Sequence, residues 1–380
     1  MLNLSNGGPK VKVDLLDLKR QYHMLQGEID KAIKEVLENT HFIMGANVKQ
    51  LEQSIAEYTG VKHAIAVANG TDALMICLKA LDIGPGDEVI TTPYTFFASA
   101  ETTSTLGATP IFVDIDPQTL EMDATKLEAA ITEKTKAIIP VHIFGQMCDM
   151  DPIMEIANKY NIPVIEDACQ AIGAEYKGKR AGSIGLMGTY SFFPSKNLGC
   201  YGDGGMITTN SDEMAEKVKM LRAHGARVKY HHEIIGYNSR LDEIQAAILN
   251  VKLPYLDHWL EQRMEHGHYY TENLKGLPVI PQTESEACKH IYHQYCIQVE
   301  QAELRDKLIS FLNEKGISTA IYYPVPVHLL EAYKEQPQKE GSCPVTEMVC
   351  KRTLALPMYP ELSKEEQDYV ISKIREFFQA

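Results

Sequence analysis

The fold is indicated by one stretch of the chain, Gly188-Thr-Tyr-Ser-Phe-Phe-Pro-Ser-Lys-Asn-Leu-Gly-Cys-Tyr-Gly-Asp-Gly-Gly205. A β-prone run stops at Pro194, a polar turn presents Lys196, and a glycine-rich segment leads into a second strand-like run, Met206–Thr209. A lysine that is shielded from water in a packed turn has a lowered pKa, so its amine is nucleophilic and can form a Schiff base. A lysine in a turn is usually a solvated side chain, however, so the role of Lys196 depends on the rest of the chain.

Composition predicts a globular enzyme-sized protein without a nucleic-acid or membrane partner. The 380 residues are 44% hydrophobic, which suffices for a large core, and 37 basic against 51 acidic residues give a net charge of −14. The eight cysteines form no CxxC pair, residues 1–12 resemble a loose leader rather than a signal peptide, and no apolar run is long enough to span a membrane. We therefore expect free thiols and a cytoplasmic location.

Strand-like runs alternate with helical segments through most of the chain. Two helices are predicted first, Asp14–Asn39 and Val48–Thr59. The strand-like runs that follow are His63–Ala68, Glu88–Thr92, Pro110–Val113, Ala137–Val141 and Pro163–Asp167. This alternation predicts an α/β fold with a mainly parallel, doubly wound sheet. Ligands bind such sheets beyond the carboxyl ends of the strands.

The pattern changes after Pro254, which lacks the N–H group that a continuous helix needs. The later segments are predicted as strands at His290–Val299 and Ser318–Tyr323, a helix at Glu303–Lys315 closed by Gly316, and a last helix opened by a capping box at Ser363. The sequence thus predicts a large domain, residues 1–250, with an N-terminal helical arm, and a smaller C-terminal α+β domain, residues 251–380.

Residues at the strand ends could together hold pyridoxal 5′-phosphate. Gly70 and Thr71 follow the first strand, and Thr71 is predicted to cap the next helix and to create an anion site. The aromatic residues Tyr94, Phe96 and Phe97 follow the second strand, where an aromatic ring could stack on a flat heterocycle, and of the adjacent Glu166 and Asp167 only one can face a given crevice. With Lys196, these groups suit a phosphate, a ring face, a ring nitrogen and an aldehyde.

Another cofactor chemistry is not indicated. The group His224, His231 and His232 has no standard metal-ligand spacing, so no metal site is predicted.

From Val13 to its end, the chain resembles the DegT/DnrJ/EryC1/StrS family of sugar-nucleotide aminotransferases. The motifs that carry the resemblance are Asn69-Gly-Thr-Asp-Ala-Leu74, Thr95-Phe96, Glu166-Asp-Ala-Cys-Gln170, Ser191-Phe-Phe-Pro-Ser-Lys196, Gly202-Asp-Gly-Gly205 and Gly236-Tyr-Asn-Ser-Arg-Leu-Asp-Glu-Ile-Gln-Ala-Ala247. The resemblance implies fold type I of the pyridoxal phosphate enzymes, a homodimer with shared active sites, and glutamate as the amino donor. It also implies that the cofactor passes through pyridoxamine 5′-phosphate.

By position, the resemblance implies a role for each matching residue. Catalysis would rest on Lys196, which forms the Schiff base, and on Asp167, which pairs with the pyridinium nitrogen. The other cofactor-binding residues would be Gln170 near the phenolic oxygen, Phe96 on the ring, Gly70, Thr71 and Ser191 at the phosphate, and Asn238 reaching the phosphate from the second subunit. Because the family's dehydratases carry histidine in place of the lysine, Lys196 favours transamination.

The substrate-binding candidates are Arg240, His231, Tyr322 and Tyr323. Arg240 suits a carboxylate but could equally pair with Asp242 or Glu243. His231 belongs to the basic segment Arg222–His232, which fits either a nucleotide diphosphate or a solvated loop. The sequence of this segment is similar to that found in the family branch whose members aminate the 3-keto group of UDP-N-acetylglucosaminuronate. That branch usually carries His-Tyr where this chain has Tyr322-Tyr323.

The predicted function is therefore the transfer of an amino group from glutamate to a keto-sugar nucleotide. The 3-keto group of a UDP-N-acetyl-hexuronate or a similar sugar is favoured, in the biosynthesis of an aminosugar for surface polysaccharide. Two alternatives stay open: a 4-keto sugar-nucleotide aminotransferase of the same family, and a non-catalytic protein that binds sugar nucleotides.

Overall fold

A computed structural model describes residues 11–379, so most of the predicted leader lies outside the described residues. The helices are α1 (Leu18–Asn39), α2 (Ala46–Thr59), α3 (Gly70–Ala80), α4 (Ala98–Thr105), α5 (Ala124–Leu127), α6 (Met150–Tyr160), α7 (Asp212–Arg222), α8 (Glu243–Lys252), α9 (Leu256–Asn273), α10 (Ala302–Glu314), α11 (Pro344–Arg352) and α12 (Lys364–Gln379). The strands are β1 (His63–Val67), β2 (Glu88–Thr91), β3 (Thr109–Phe112), β4 (Thr135–Ile138), β5 (Ile165–Asp167), β6 (Glu175–Tyr176), β7 (Lys179–Arg180), β8 (Met187–Ser191), β9 (Gly205–Thr209), β10 (Ala226–Val228), β11 (His231–His232), β12 (Val279–Pro281), β13 (Cys288–Lys289), β14 (Tyr295–Val299) and β15 (Thr353–Leu356).

The predicted α/β sheet is confirmed. Strands pair in the orders β1-β9-β8-β5 and β3-β2-β4, and parallel bridges between Ile138 and Val164 and between Val141 and Asp167 join the two groups. Within this sheet β9 runs antiparallel to β1 and β8, whereas β5 and β8, β2 and β3, and β2 and β4 pair in parallel. The carboxyl ends of the parallel strands therefore meet at one edge.

The sheet is covered by hydrophobic cores on both faces. Neighbouring residues of β9 show this directly, because Met206 packs into a core with residues of α2, α6 and α8, whereas Ile207 packs into another with residues of α3 and α7. Both side chains are fully buried. Successive strand residues point to opposite faces, so a strand buried on both faces appears as a continuous apolar run in the sequence.

The C-terminal part has its own antiparallel sheet, β12-β14-β15, which packs with α10 and α12 around a third core. The predicted helix Glu303–Lys315 is confirmed by α10, and Gly316 follows it with a φ of +80°. The capping box is confirmed too, since Ser363 and Glu366 exchange side-chain to backbone hydrogen bonds of 2.9 and 3.2 Å. The division of the chain at residue 250 stays a prediction.

Two strand predictions in this part were wrong. Ser318–Tyr323 makes a single bridge, between Ala320 and Ala355, and its end then joins the wall of a cavity. Of His290–Val299, the second half forms β14, because Tyr292 has a φ of 45° and takes the preceding residues out of the extended conformation. A mixed apolar and aromatic run was mistaken in both places for a continuous strand.

The remaining sequence predictions concern the thiols and the membrane. All eight cysteines lie in the described residues, and each is a free thiol. No helix between residues 11 and 379 combines the length and the apolarity that crossing a membrane demands. At Pro254 the long helical stretch is interrupted as expected, by a 3₁₀ turn between α8 and α9.

Candidate active site

A cavity of about 770 Å³ opens where the parallel strands of the large sheet end. It gathers residues that follow β1, β2, β5 and β8 along the chain, together with residues of the C-terminal part. The predicted site residues in its wall are Gly70, Thr71, Phe96, Asp167, Gln170, Ser191, Lys196, Tyr322 and Tyr323. The cavity is thus the place where positions scattered over some 250 residues of sequence come together.

The start of α3 forms one end of the cavity. The prediction that Thr71 caps this helix was wrong, because Asn69 is the cap: its Oδ1 accepts a hydrogen bond of 2.8 Å from the Asp72 amide. Asn69 has the extended backbone that a cap requires, whereas Thr71 is already helical. The amide groups of Gly70 and Thr71 lie in the first turn and have no acceptor among residues 11–379. Such amides, with the helix dipole, attract an anion.

Gly70 brings this helix start against the end of β8. A Cβ atom at Gly70 would lie 2.8 Å from the Ser191 Cβ and 2.9 Å from the Cys169 Sγ, distances too short for any larger residue without displacement. The absence of a side chain therefore allows the Ser191 hydroxyl and the amides of α3 to face the same end of the cavity. Three hydrogen-bond donors in this arrangement suit a phosphate group.

Adjacent carboxylates at the end of β5 serve different purposes. Glu166 is fully buried and accepts hydrogen bonds from His142 Nε2 at 2.9 Å and from three backbone amides, those of Gly182, Ile184 and Gly185. Burial would raise the pKa of Glu166, but these donors outweigh it and hold the pKa below its usual value. Glu166 is thus a structural anion inside the protein.

Asp167 points the other way and lies in the cavity wall. Its Oδ2 accepts a hydrogen bond of 2.7 Å from Ser99 Oγ, which itself lies 2.8 Å from Thr95 Oγ1. Its Oδ1 accepts from the Cys169 amide at 3.2 Å. A carboxylate fixed by these donors can hold a proton on a heterocyclic nitrogen. Sequence reasoning missed Ser99, whose one signal was a hydroxyl residue four positions after Thr95.

Lys196 lies in the turn after β8. This turn is closed by a hydrogen bond of 2.8 Å from the Lys196 amide to the Phe193 carbonyl. Burial of the amine lowers the pKa of Lys196, and the neighbouring Cys169 and Asp167 only partly oppose that shift. Within the described part of the chain, the Lys196 amine makes no hydrogen bond or ion pair. The lowered pKa is the direction that the sequence predicted.

Gln170 links the cavity to the C-terminal part. Its Oε1 accepts from the Phe144 amide at 2.9 Å, and its Nε2 donates to Tyr323 Oη at 3.0 Å. Tyr94 Oη donates to the Tyr322 carbonyl at 2.6 Å and so fixes the segment that carries both tyrosines. Burial raises the pKa of Tyr323, so this phenol stays protonated. The two tyrosines form one wall of the cavity beside the exposed ring of Phe96.

Three predicted site residues are not brought into this wall: Asn238, Arg240 and His231. Asn238 is exposed and pairs with Ala223 in an isolated bridge, and His231 is exposed on the hairpin of β10 and β11. Arg240 pairs with neither Asp242 nor Glu243 in the region that the structure describes.

Glu243 has another role. Its carboxylate accepts from the amides of Asn47 and Val48 and thereby caps the start of α2. The Glu243 carboxylate, which was considered as a partner of Arg240, therefore serves as a helix cap instead.

Further polar residues line the cavity that sequence reasoning did not identify, namely Asp72, Asp203, His293 and Gln294. His293 and Gln294 fall within the predicted strand His290–Val299, of which only the second half is a strand. The one indication in the sequence was two adjacent polar residues within an otherwise apolar run. Asn197, next to Lys196, is buried and holds His293 through a hydrogen bond of 2.9 Å.

The cavity residues fit pyridoxal 5′-phosphate. The donors at Gly70, Thr71 and Ser191 suit the phosphate, the fixed carboxylate of Asp167 suits the ring nitrogen, and the amine of Lys196 suits the aldehyde. The amine is poised for this chemistry by its environment, since a lysine with a lowered pKa is a nucleophile and a proton carrier at neutral pH.

Comparison with known proteins matches this chain to aminotransferases. The model of the DegT/DnrJ/EryC1/StrS aminotransferase family matches residues 23–375. A pleiotropic regulatory protein of Geobacillus stearothermophilus is 52% identical and covers 97% of this chain and 99% of its own length.

Two other relatives are 44% identical. The UDP-N-acetyl-3-dehydro-α-D-glucosamine 3-aminotransferase of Acidithiobacillus ferrooxidans aligns over 96% of this chain and 97% of its own. The UDP-2-acetamido-2-deoxy-3-oxo-D-glucuronate aminotransferase of Pseudomonas aeruginosa aligns over 92% of this chain and 96% of its own.

Solved structures show the same fold. Streptomyces venezuelae DesV, in complex with a ketimine intermediate, superposes with a TM-score of 0.94 at 40% identity, over 97% of this chain and 99% of its own. The Bacillus subtilis protein NtdA, with the bound cofactor PMP, superposes with a TM-score of 0.91 at 35% identity, over 99% of this chain and 87% of its own.

Proposed function

The chain belongs to the DegT/DnrJ/EryC1/StrS aminotransferase family, and we propose that it transfers the amino group of glutamate to the 3-keto group of a UDP-linked N-acetylated sugar, with the hexuronate as the preferred form. The product would be an aminosugar for surface polysaccharide. The observation that carries the proposal is the single cavity in which Lys196, Asp167 and the donors at the start of α3 meet.

The cofactor is pyridoxal 5′-phosphate, which supplies an electron sink that stabilises negative charge on the carbon that bears the reacting amine. We assign its phosphate to Gly70, Thr71 and Ser191, and the proton of its ring nitrogen to Asp167. Gln170 would donate to the phenolic oxygen from its amide, which Phe144 and Tyr323 orient. Phe96 would cover the ring and exclude water from one face.

Lys196 would carry the proton in both halves of the reaction. Because its pKa is lowered, Nζ can take up the proton from the α-carbon of glutamate and return a proton to the sugar carbon that gains the amine. Arginine could not replace it, since a guanidinium does not release its proton. The overall reaction converts glutamate and a keto-sugar into 2-oxoglutarate and an aminosugar, and ping-pong kinetics should follow.

The choice of sugar rests on two observations. Relatives at the same identity act on a UDP-linked 3-keto sugar, one neutral and one with a C6 carboxylate. Arg240 is free of its acidic neighbours in the described residues, so its planar guanidinium could receive a carboxylate. Glutamate also brings carboxylates, so the test must separate the two halves of the reaction.

Arg240, Asn238 and His231 would reach the cavity of a second subunit. They lie in or next to the hairpin of β10 and β11, where apolar side chains stand in solvent: Val228, Tyr230 and, just beyond the hairpin, Ile235 are exposed by 62%, 80% and 88%. Apolar side chains in such number indicate a surface that another protein covers. A homodimer in which each hairpin enters the partner's cavity would account for this exposed apolar surface. It would also account for Arg240, Asn238 and His231, which do not line the cavity of their own chain.

The shared site has a direct test. In a shared site Lys196 comes from one subunit and Asn238 from the other. When subunits of the Lys196→Ala and Asn238→Ala variants exchange, each mixed dimer should therefore contain one site with both native residues. At limiting cofactor we expect activity to recover to about a quarter of the wild-type value, since half of the dimers are mixed and each has one working site. No recovery in verified mixed dimers would place all these residues in one chain's site.

The function is tested by absorbance and mass spectrometry of the two half-reactions. Glutamate should convert the bound cofactor's visible band to an ultraviolet one, and the 3-keto form of UDP-N-acetylglucosaminuronate should restore it and yield an aminosugar. Arg240→Lys should lose rate with the uronate more than with the neutral 3-keto sugar. Restoration by 4-keto sugars alone would establish the 4-keto alternative, and binding of sugar nucleotides without any amine transfer would establish a non-catalytic protein.

A further inference from the structure

The side chain that follows Lys196 connects the lysine turn to a histidine from the C-terminal part. Asn197 is 6% exposed, and its Oδ1 lies 2.9 Å from Nδ1 of His293, which is 96 residues away in the sequence. In this arrangement the Asn197 amide oxygen is the acceptor, so Nδ1 of the histidine carries the proton. In the neutral ring this leaves a lone pair on Nε2.

The environment of His293 keeps the ring neutral. Burial is the main cause, and the positive charges of Lys196 and Arg263 add to it, so that the pKa of His293 lies well below 6.5. Arg263 is itself buried and donates to the carbonyl groups of Tyr292, His293 and Met358 rather than to the ring. The ring therefore acts as an acceptor at Nε2 throughout the neutral pH range.

The ring of His293 borders the cavity that holds Lys196. His293 lies in the cavity wall, and its Nε2 has no hydrogen-bond partner within residues 11–379. A polar atom in a largely buried ring costs free energy unless a ligand or water completes its hydrogen bond. Glutamate is a poor match, because its carboxylates are acceptors and would meet a lone pair. A sugar offers hydroxyl groups, which donate.

We propose that His293 Nε2 accepts a hydrogen bond from the sugar hydroxyl next to the carbon that gains the amine, and so selects hydroxylated over deoxygenated sugar nucleotides. This inference rests on the proposed function. For amination at C3 of an N-acetylated sugar the hydroxyl is the one on C4, since C2 carries the N-acetyl group. A site that binds a hydroxyl discriminates against the deoxy analogue, because the acceptor, which the bound sugar separates from water, is then left unpaired.

The test uses two variants and a matched control. In His293→Asn the amide nitrogen takes about the place of Nδ1, which keeps the donor to Asn197 and removes Nε2. His293→Gln places an amide group near Nε2 instead. The control is His290→Asn, at another buried histidine of the same segment, whose pKa burial lowers to about 4 but whose ring is not in the cavity wall.

The measurement follows the cofactor spectrum of each variant with glutamate and, in reverse, with a UDP-linked 3-amino sugar and its 4-deoxy analogue. Wild type should favour the hydroxylated sugar by about 10-fold to 100-fold in kcat/KM. His293→Asn should reduce this preference to below about 3-fold, and its rate should fall more with the hydroxylated sugar than with glutamate or the deoxy analogue. His293→Gln should keep part of the preference, and His290→Asn should keep all of it.

The results that would overturn the role of His293 differ from the result that would overturn the proposed substrate class. Equal losses with glutamate and both sugars in His293→Asn, at unchanged preference, would show that the histidine only supports the lysine turn and would overturn the inference. An unchanged preference with unchanged rates would overturn it as well. Wild-type enzyme that reacts with glutamate but with neither sugar would refute the proposed substrate class, and the role of His293 with it.

Discussion

Lys252, at the end of α8, should make stability rise with pH in a range where most proteins lose stability. The side chain is 1% exposed, its Nζ donates to the Gly199 carbonyl at 2.7 Å, and it lies 4.2 Å from the centre of the Tyr201 ring. It has no ion-pair partner among the described residues. Burial lowers the pKa of Lys252 from 10.5 to about 8, although Cys200 and Glu361 oppose the shift.

The sign follows from proton binding. Below pH 8 the amine is charged in both the folded and the unfolded chain, so its desolvation cost is constant. Between the folded pKa of about 8 and the unfolded value of 10.5, the unfolded chain binds a proton that the folded chain does not, so stability rises with pH. Integrating these two titrations from pH 7 to pH 10 gives a gain of about 2.5 kcal/mol.

The assay is urea unfolding of wild type and Lys252→Met at several pH values between 7 and 10, at one protein concentration and saturating cofactor. Other groups titrate equally in both proteins, so the difference between their unfolding free energies isolates Lys252. Lys49→Met, at an exposed position of α2, is the control and should leave the pH profile unchanged. Parallel profiles of wild type and Lys252→Met would refute the burial of this charge.

Three further predictions concern the cavity. Lys196→Ala should keep the fold and bind cofactor noncovalently while kcat falls by several orders of magnitude, as followed by single-turnover absorbance; activity within about tenfold of wild type would contradict its role as proton carrier. Gly70→Ala should push Ser191 aside, because the new Cβ comes within 2.8 Å of it, and should weaken cofactor binding measured by equilibrium dialysis, whereas unchanged affinity would refute the phosphate assignment. Ser99→Ala removes a donor from Asp167 and should weaken cofactor binding by roughly tenfold in a fluorescence titration, with Ser99→Thr as the conservative control; equal affinities would show that the hydroxyl is dispensable.

The sequence predicted the sheet and most of the cavity because both depend on local patterns. Strands buried on both faces are largely apolar runs, and functional side chains lie at or directly after their carboxyl ends, as Asp167 is the last residue of β5. The adjacent Glu166 shows the limit of such reasoning. That only one of the two can face the cavity follows from strand geometry, but which one depends on how the sheet is oriented in the fold.

What the sequence could not predict depends on contacts between distant segments. Ser99 and Asp167 are 68 positions apart, and no local pattern joins them. Asn69 and Thr71 can both cap a helix, and the choice between them is made by the backbone conformation that the end of β1 imposes. The positions of Asn238 and Arg240 outside the cavity wall follow from the path of the hairpin, which carries no strong periodic signal.

The opposite orientations of Glu166 and Asp167 limit how such a chain can gain or lose residues. A single insertion or deletion within β5 would turn every later side chain of the strand to the other face. The anion that His142 and three amides stabilise would then enter the cavity, and the cavity's own carboxylate would enter an interior where its donors are missing. Changes of length are thus tolerated only outside β5, and a library that varies loop lengths to alter substrate preference should leave this strand untouched.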